Sequence, residues 1–230
     1  MRSVRRQTTH EARSSMTIDT SSNIDAVARV VSRGNRHGRS VRIVTATRTY
    51  DTRIEQLWDA LTNPARLAKW FLPISGDLRP GGRYQLEGNA AGLITRCAPP
   101  RDLAVTWEFG DEIGWVAVRL AAAPGGGTRL ELEHAQHVSD ERWEQYGPGA
   151  VGVGWDLTLL CLALHLRPVG AVNAEAAEAW TESADGKEFQ RQSSEAWCRA
   201  SIAAGTDAAA ASAAAARTTA AYTGEAEGVG

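Results

Sequence analysis

The chain has 230 residues, 43% of them hydrophobic, and a formal net charge of −2; it can bury a real core, and its charge gives no whole-protein case for nucleic acid or a membrane surface. The charge is split, with eight arginines against three acids in residues 1–40 and a net −7 over the rest. Eight tryptophans against three phenylalanines supply wide, flat, partly polar rings that line a cavity as readily as they fill a solid core.

Residues 1–22 are rich in Arg, Ser and Thr with little to bury, which predicts a disordered segment, and Met16 is a candidate start. MRSVRRQTTHEARSSM has no apolar run and is not a secretory signal. In NIDAVARVVSR (23–33), Ile24, Val27, Ala28 and Val31 share a helical face behind Asn23, so residues 23–40 read as a short docking helix and a linker ended by GNRHGRS. VRIVTATRTY (41–50) is β-branched and predicts a strand. RIEQLWDALTNPARLAKWF (53–71) follows, with Asp51 or Thr52 as a cap and Pro64 forcing a break between two short helices that carry Trp58 and Trp70.

Four or more strands come next. GRYQLEG sets Tyr84 and Leu86 on one face, and DLAVTWEFG sets Leu103, Val105, Trp107 and Phe109 together. WVAVRLAAA places Val116, Val118 and Leu120 opposite Arg119, with Trp115 on the outward parity. TRLELEHAQH puts Leu130, Leu132 and His134 opposite Arg129, Glu131 and Glu133. The short connections LRPGGR, NAAG, APPRD and PGGGT suit an antiparallel meander with one face covered. The cover is a helix at 150–166. Trp155, Leu159, Leu162 and Leu166 form one stripe on it, and Leu157, Leu160, Cys161 and Leu164 a second, so it needs partners on two sides. The stretch is short for a membrane span and contains Asp156 and His165. Residues 172–182, 186–204 and 205–222 then read as further helices, bearing Trp180, Phe189 and Trp197, which either cover the long helix or join two chains as a homodimer.

Cys97, Cys161 and Cys198 are far apart without a C-x-x-C spacing, which argues for neither a disulfide framework nor a zinc site and places the chain in the reducing cytoplasm. His134 and His137 fall on opposite faces of their strand, so they do not chelate a metal together. The glycine runs at 81–82, 125–127 and 149–154 lack the strand, loop and helix order of a phosphate site, and no G-x-S-x-G frames a nucleophile.

Residues 41–166 resemble the START-like helix-grip superfamily (SRPBCC), and within it the family of the C-terminal domain of the activator of heat-shock-protein-90 ATPase. Four segments carry the resemblance: RTYDTRIEQLWDALTNPARLAKWF, GDLRPGGRYQLEG, PPRDLAVTWEF and GGTRLELEHAQH. The resemblance implies an α+β helix-grip domain over 41–168, a curved antiparallel sheet around the long helix; residues 169–230 depart from it as a helical C-terminal extension with a flexible end. It also implies a cavity for an apolar or amphipathic ligand, in a stress or regulatory role. The two small helices would plug one end, Trp58 as core and Trp70 with Phe71 near the rim. The insert VSDERWEQYGPG (138–149) departs from simpler members, with Trp143 and Tyr146 as a lid or an anchor. The expected ligand-binding residues are Trp70, Tyr84, Leu86, Val105, Trp107, Val118, Leu132, His134, Trp155 and Leu159, with no catalytic residue, metal or cofactor. Two alternatives stand beside this: a cyclase, dehydratase or hydrolase with His134 as acid or base, and a co-chaperone-like module acting through its surface.

Overall fold

A computed structural model describes residues 18–167 and 174–225. The first element is a short helix, α1 (Thr20–Asp25), whose cap Asp19 accepts a hydrogen bond from the Ser22 amide. Of the segment predicted to be disordered, residues 18–22 are ordered, with Ile18 buried and α1 begun; residues 1–17 lie outside the described residues. A second difference is larger. Where a helix is predicted to residue 33, the backbone forms β1 (Val27–Arg36), paired antiparallel with β2 (Arg39–Tyr50) from Val27↔Arg48 to Arg36↔Arg39. The cause is the turn between them. His37 and Gly38 both take positive φ, 52° and 77°, the two-residue geometry whose twist matches that of paired strands.

Two short helices follow, α2 (Ile54–Thr62) and α3 (Pro64–Trp70). Asn63 separates them and caps the second, its side chain accepting from the Ala65 amide ahead of Pro64. Neither Asp51 nor Thr52 caps α2; Arg53 stands at that position, and the Thr52 hydroxyl donates to Gln56 instead. The remaining strands are β3 (Ile74–Gly76), β4 (Arg83–Leu86), β5 (Ala91–Ala98), β6 (Asp102–Phe109), β7 (Glu112–Ala122) and β8 (Thr128–Gln136). They make one curved antiparallel sheet in the order β1-β2-β8-β7-β6-β5-β4-β3. β8 returns to pair with β2, with Val44 opposite His134 and Ala46 opposite Leu132.

The predicted insert contains a two-turn helix, α4 (Asp140–Tyr146), and the closing helix is α5 (Gly149–His165). Trp155, Leu159 and Leu162 of α5 pack on the sheet with Val116, Leu130 and Leu132, which is the helix-grip arrangement. Leu160 and Leu164, with Leu157 beside them, point the other way into a second cluster with Ile18, Ile24, Phe189 and Ala196. Only Cys161 changes sides relative to the predicted stripes, joining the sheet cluster. The second cluster exists because the chain folds back on itself through α6 (Ala174–Thr181), α7 (Ala184–Ala203) and α8 (Ala208–Thr223). α7 lies against α5, α1 and β1, and α8 against α7 and α4. Gly152 makes that approach close, for a β-carbon there would stand 2.4 Å from the Trp197 indole.

Between the two apolar clusters runs a polar seam that pattern reading did not reveal. Asp156 of α5 is ion-paired to Arg29 of β1 at 2.9 Å, and its Oδ2 also accepts from Ser193 Oγ and, at 3.1 Å, from Trp197 Nε1. Burial raises the Asp156 carboxyl above the usual carboxylate range, with Arg29 opposing that shift. Nearby, Arg48 reaches the Asn23 side chain at 2.8 Å, and the Tyr50 hydroxyl donates to the Leu159 carbonyl at 3.1 Å. Among the described residues no single helix is long and apolar enough to cross a membrane.

Candidate functional site

A buried strand face normally loses its solvent contact, yet Leu103, Val105 and Trp107 on the covered side of β6 are only partly buried. The reason is a cavity of about 170 Å³ between that face and α5. Its walls come from elements far apart in sequence: α2 and α3 with the residue after them, strands β3 to β8, and one side of α5. Nine of the ten expected residues meet there. Trp70, Tyr84 and Leu86 line one end, Val105, Trp107, Val118 and Leu132 the sheet wall, and Trp155 with Leu159 the helix wall.

Three of the lining aromatic side chains, Trp70, Tyr84 and Trp155, bond their polar atoms outside the cavity. Trp70 Nε1 donates to the Ala60 carbonyl at 3.0 Å, the Tyr84 hydroxyl to the Thr106 carbonyl at 2.7 Å, and Trp155 Nε1 to His134 Nδ1 at 3.0 Å. Each therefore presents ring faces inward, and the cavity is apolar in spite of its tyrosine and indoles. An apolar void of about this size holds a single aromatic ring.

The small helices divide their work differently from expectation. Trp58, expected as core, is half-buried and lines the cavity. Trp70, expected at the rim, is 9% exposed and fastened to α2 through the Ala60 carbonyl. Phe71 is half-buried and lines the cavity. Phe109 shares the inward parity of Trp107 but emerges at the end of β6 and is 56% exposed. Trp115 lies on the outer face between the rings of His37 and His137, at 5.6 and 5.3 Å. Trp143 anchors α4, with the Arg42 guanidinium over its ring at 5.1 Å.

His134 is the tenth expected residue, and it lies behind the cavity wall. Its ring is 5.8 Å from Trp155 and 6.2 Å from Trp107, and the two indoles meet edge to face at 5.3 Å. Burial pushes its pKa down to about 4, so the ring is neutral near neutral pH. An indole N–H can only donate, so Nδ1 must be the accepting nitrogen and the proton sits on Nε2. In this state the ring has no free lone pair with which to act as a base. It borders a second recess of about 350 Å³ that shares Phe71, Trp107, Trp155 and Thr158 with the cavity.

Sequence reading missed several residues of both spaces. Leu103 could have been found, since it has the parity of Val105 and Trp107. Gly114 carried a signal too: an isolated glycine within a strand marks close approach, and a β-carbon there would stand 2.8 Å from His134 Nε2. Tyr222, which borders the recess from α8, carried none.

Comparison with known proteins agrees with this architecture. Residues 51–167 match the family model of Activator of Hsp90 ATPase homolog 1-like protein. The crystal structure of CalU16 from Micromonospora echinospora is 32% identical, with a TM-score of 0.60 over 76% of this chain and 98% of its own. The solution structure of the same protein is 34% identical, with a TM-score of 0.64 over 78% of this chain and 97% of its own. A conserved protein of unknown function from Enterococcus faecalis, EF2215, shares the fold at 18% identity and a TM-score of 0.54, over 79% of this chain and 95% of its own. No curated protein matches the chain. With half its length under the family model and its sheet wrapped around α5, the chain belongs to the Activator of Hsp90 ATPase homolog 1-like protein family.

Proposed function

We propose that this protein binds a small, largely apolar molecule in the cavity between its sheet and α5. The observation that carries the reading is the 170 Å³ void walled by apolar side chains, with Trp70, Tyr84 and Trp155 bonding their polar atoms elsewhere. A protein built only as a scaffold gains nothing from it: packing that volume would add about 4 kcal/mol at roughly 24 cal/mol per Å³ of cavity. A ligand recovers this by removing its own apolar area from water at roughly 25 cal/mol per Å². We place this binding in the cytoplasm, a choice supported by free thiols at Cys97, Cys161 and Cys198. Binding is favoured over base catalysis at His134 because its one basic nitrogen, Nδ1, is already taken by the Trp155 indole N–H.

Thermal melting with ethylbenzene tests the reading. At about a hundredfold excess over Kd a bound ligand adds about 2.7 kcal/mol, a rise of roughly 5–10 °C for a chain of this size. Val118→Phe, which places a ring in the cavity, is expected to abolish that rise without lowering the unliganded midpoint. If neither ethylbenzene nor other single-ring hydrocarbons move the midpoint, the cavity is not a binding site.

A further inference from the structure

We infer that the recess beside the cavity is the polar compartment of one continuous site, and that the ligand carries a neutral carbonyl-type oxygen which accepts a hydrogen bond from His134 Nε2–H. This rests on the cavity reading above and adds the chemical class of the ligand.

The donor is the first observation. His134 is 5% exposed, its Nδ1 is held by the Trp155 indole, and its Nε2–H has no hydrogen-bond partner among the described residues. Buried donors are rarely left so. Among the described residues the fully occluded side-chain atoms without partners are Arg29 Nη2, Asp156 Oδ1 and Trp180 Nε1; His134 Nε2 is not among them, because the recess reaches it. Gly114 keeps that access, since any β-carbon would stand 2.8 Å from the nitrogen. A buried, correctly protonated donor aimed into an open space and kept clear by a glycine is a place for an acceptor.

The surroundings select the kind of acceptor. The two charged side chains on the recess, Glu112 and Arg142, are ion-paired with each other, so no cation is left to balance a bound carboxylate. An unpaired anion beside a buried neutral imidazole loses its hydration without compensation. A ketone or similar carbonyl needs one donor and little desolvation. The shared wall supplies the geometry: Phe71, Trp107, Trp155 and Thr158 face both spaces, so a ring in the cavity can extend an attached carbonyl past Trp107 toward His134.

Ethylbenzene and acetophenone differ only by a carbonyl in place of a methylene and test this directly on the full chain. Infrared spectroscopy of bound acetophenone is expected to show its carbonyl stretch at lower wavenumber than in hydrocarbon solvent. The affinity ratio of acetophenone to ethylbenzene is expected to fall about three- to tenfold in His134→Phe, the loss of one neutral hydrogen bond. Gly114→Ala, which keeps the imidazole and crowds its Nε2, should lower the ratio in the same direction. Nitrogen NMR of the unaltered chain supports the donor if the His134 proton is on Nε2, and overturns the inference if it is on Nδ1, whether or not either variant folds. Ethylbenzene binding with an unshifted acetophenone carbonyl overturns this inference and leaves the cavity reading standing. Failure of both compounds to bind overturns both.

Discussion

Arg29→Met isolates the charge that fastens β1 and α7 to the gripped helix. The Arg29 side chain is 6% exposed and that of Asp156 fully buried, with 2.9 Å between Nε and Oδ2. Removing the guanidinium leaves the carboxylate, among the described residues, with only the Ser193 hydroxyl and the Trp197 indole as donors. Breaking a buried pair on one side costs about 3–5 kcal/mol, a large share of the roughly 5–15 kcal/mol that holds a domain together. The cost must also depend on pH. Burial already raises the Asp156 carboxyl, and losing Arg29, the chief opposing influence, raises it further. A folded-state value above the unfolded 3.8 means the folded chain binds the extra proton, so the variant loses stability as pH rises from 3.8 through the new folded value. Urea unfolding is therefore expected to find Arg29→Met less destabilised at pH 5 than at pH 8. The double variant Arg29→Met, Asp156→Leu should regain most of the loss, because two apolar side chains need no compensation. A single variant that costs under about 1 kcal/mol at both pH values would refute the reasoning, since that is the worth of an exposed pair.

His134 gives the chain a second acid sensitivity. Its pKa is about 4 when folded against 6.5 when unfolded, so its contribution is complete above pH 6.5 and is lost as pH falls to about 4, on the order of 3 kcal/mol in all. Subtracting the unfolding profile of His134→Gln cancels Asp156 and His165, which titrate in both chains; parallel profiles between pH 4 and 6.5 would show that the imidazole is not buried neutral. Gly152→Ala forces a β-carbon against the Trp197 indole and should cost about 1–3 kcal/mol in melting, with easier quenching of tryptophan fluorescence as α7 withdraws. An unchanged midpoint would place α7 elsewhere.

Much of this site could be read from strand parity and helical spacing. Leu130, Leu132 and His134 share a face because residues two apart in a strand must, and the two stripes of α5 go to the sheet and to the returning helices because apolar area all round needs two covers. β1 was lost because Val27, Ala28 and Val31 fit a helical face, and only the His37-Gly38 turn told against it. The polar seam was not legible at all. Arg29 and Asp156 are 127 positions apart, and neither has a local pattern that names the other. The same holds for Trp155 and His134, whose bond needs the sheet and the helix already in place. Parity could bring His134 to the covered face but could not say that the Trp155 indole would take one nitrogen and so aim the other away from the cavity.

That division between local and assembled features has a functional consequence. Every residue lining the apolar cavity falls between 51 and 167, the part of the chain that the family model spans. The recess beside it draws on the same region but is completed by Tyr222 of α8, whose hydroxyl donates to the Ala150 carbonyl at 3.0 Å. The helices beyond residue 173 also hold α5 from behind through Ser193 and Trp197 on Asp156, one residue along from Trp155. Adjacent helical positions point about 100° apart, so fixing Asp156 toward α7 turns Trp155 toward the sheet, where it meets both the cavity and His134. The apolar body of a ligand would then be received by the part of the fold this chain shares with its family. On the proposed reading, the reach of its polar end would be set by how the C-terminal helices orient α5 and close the recess.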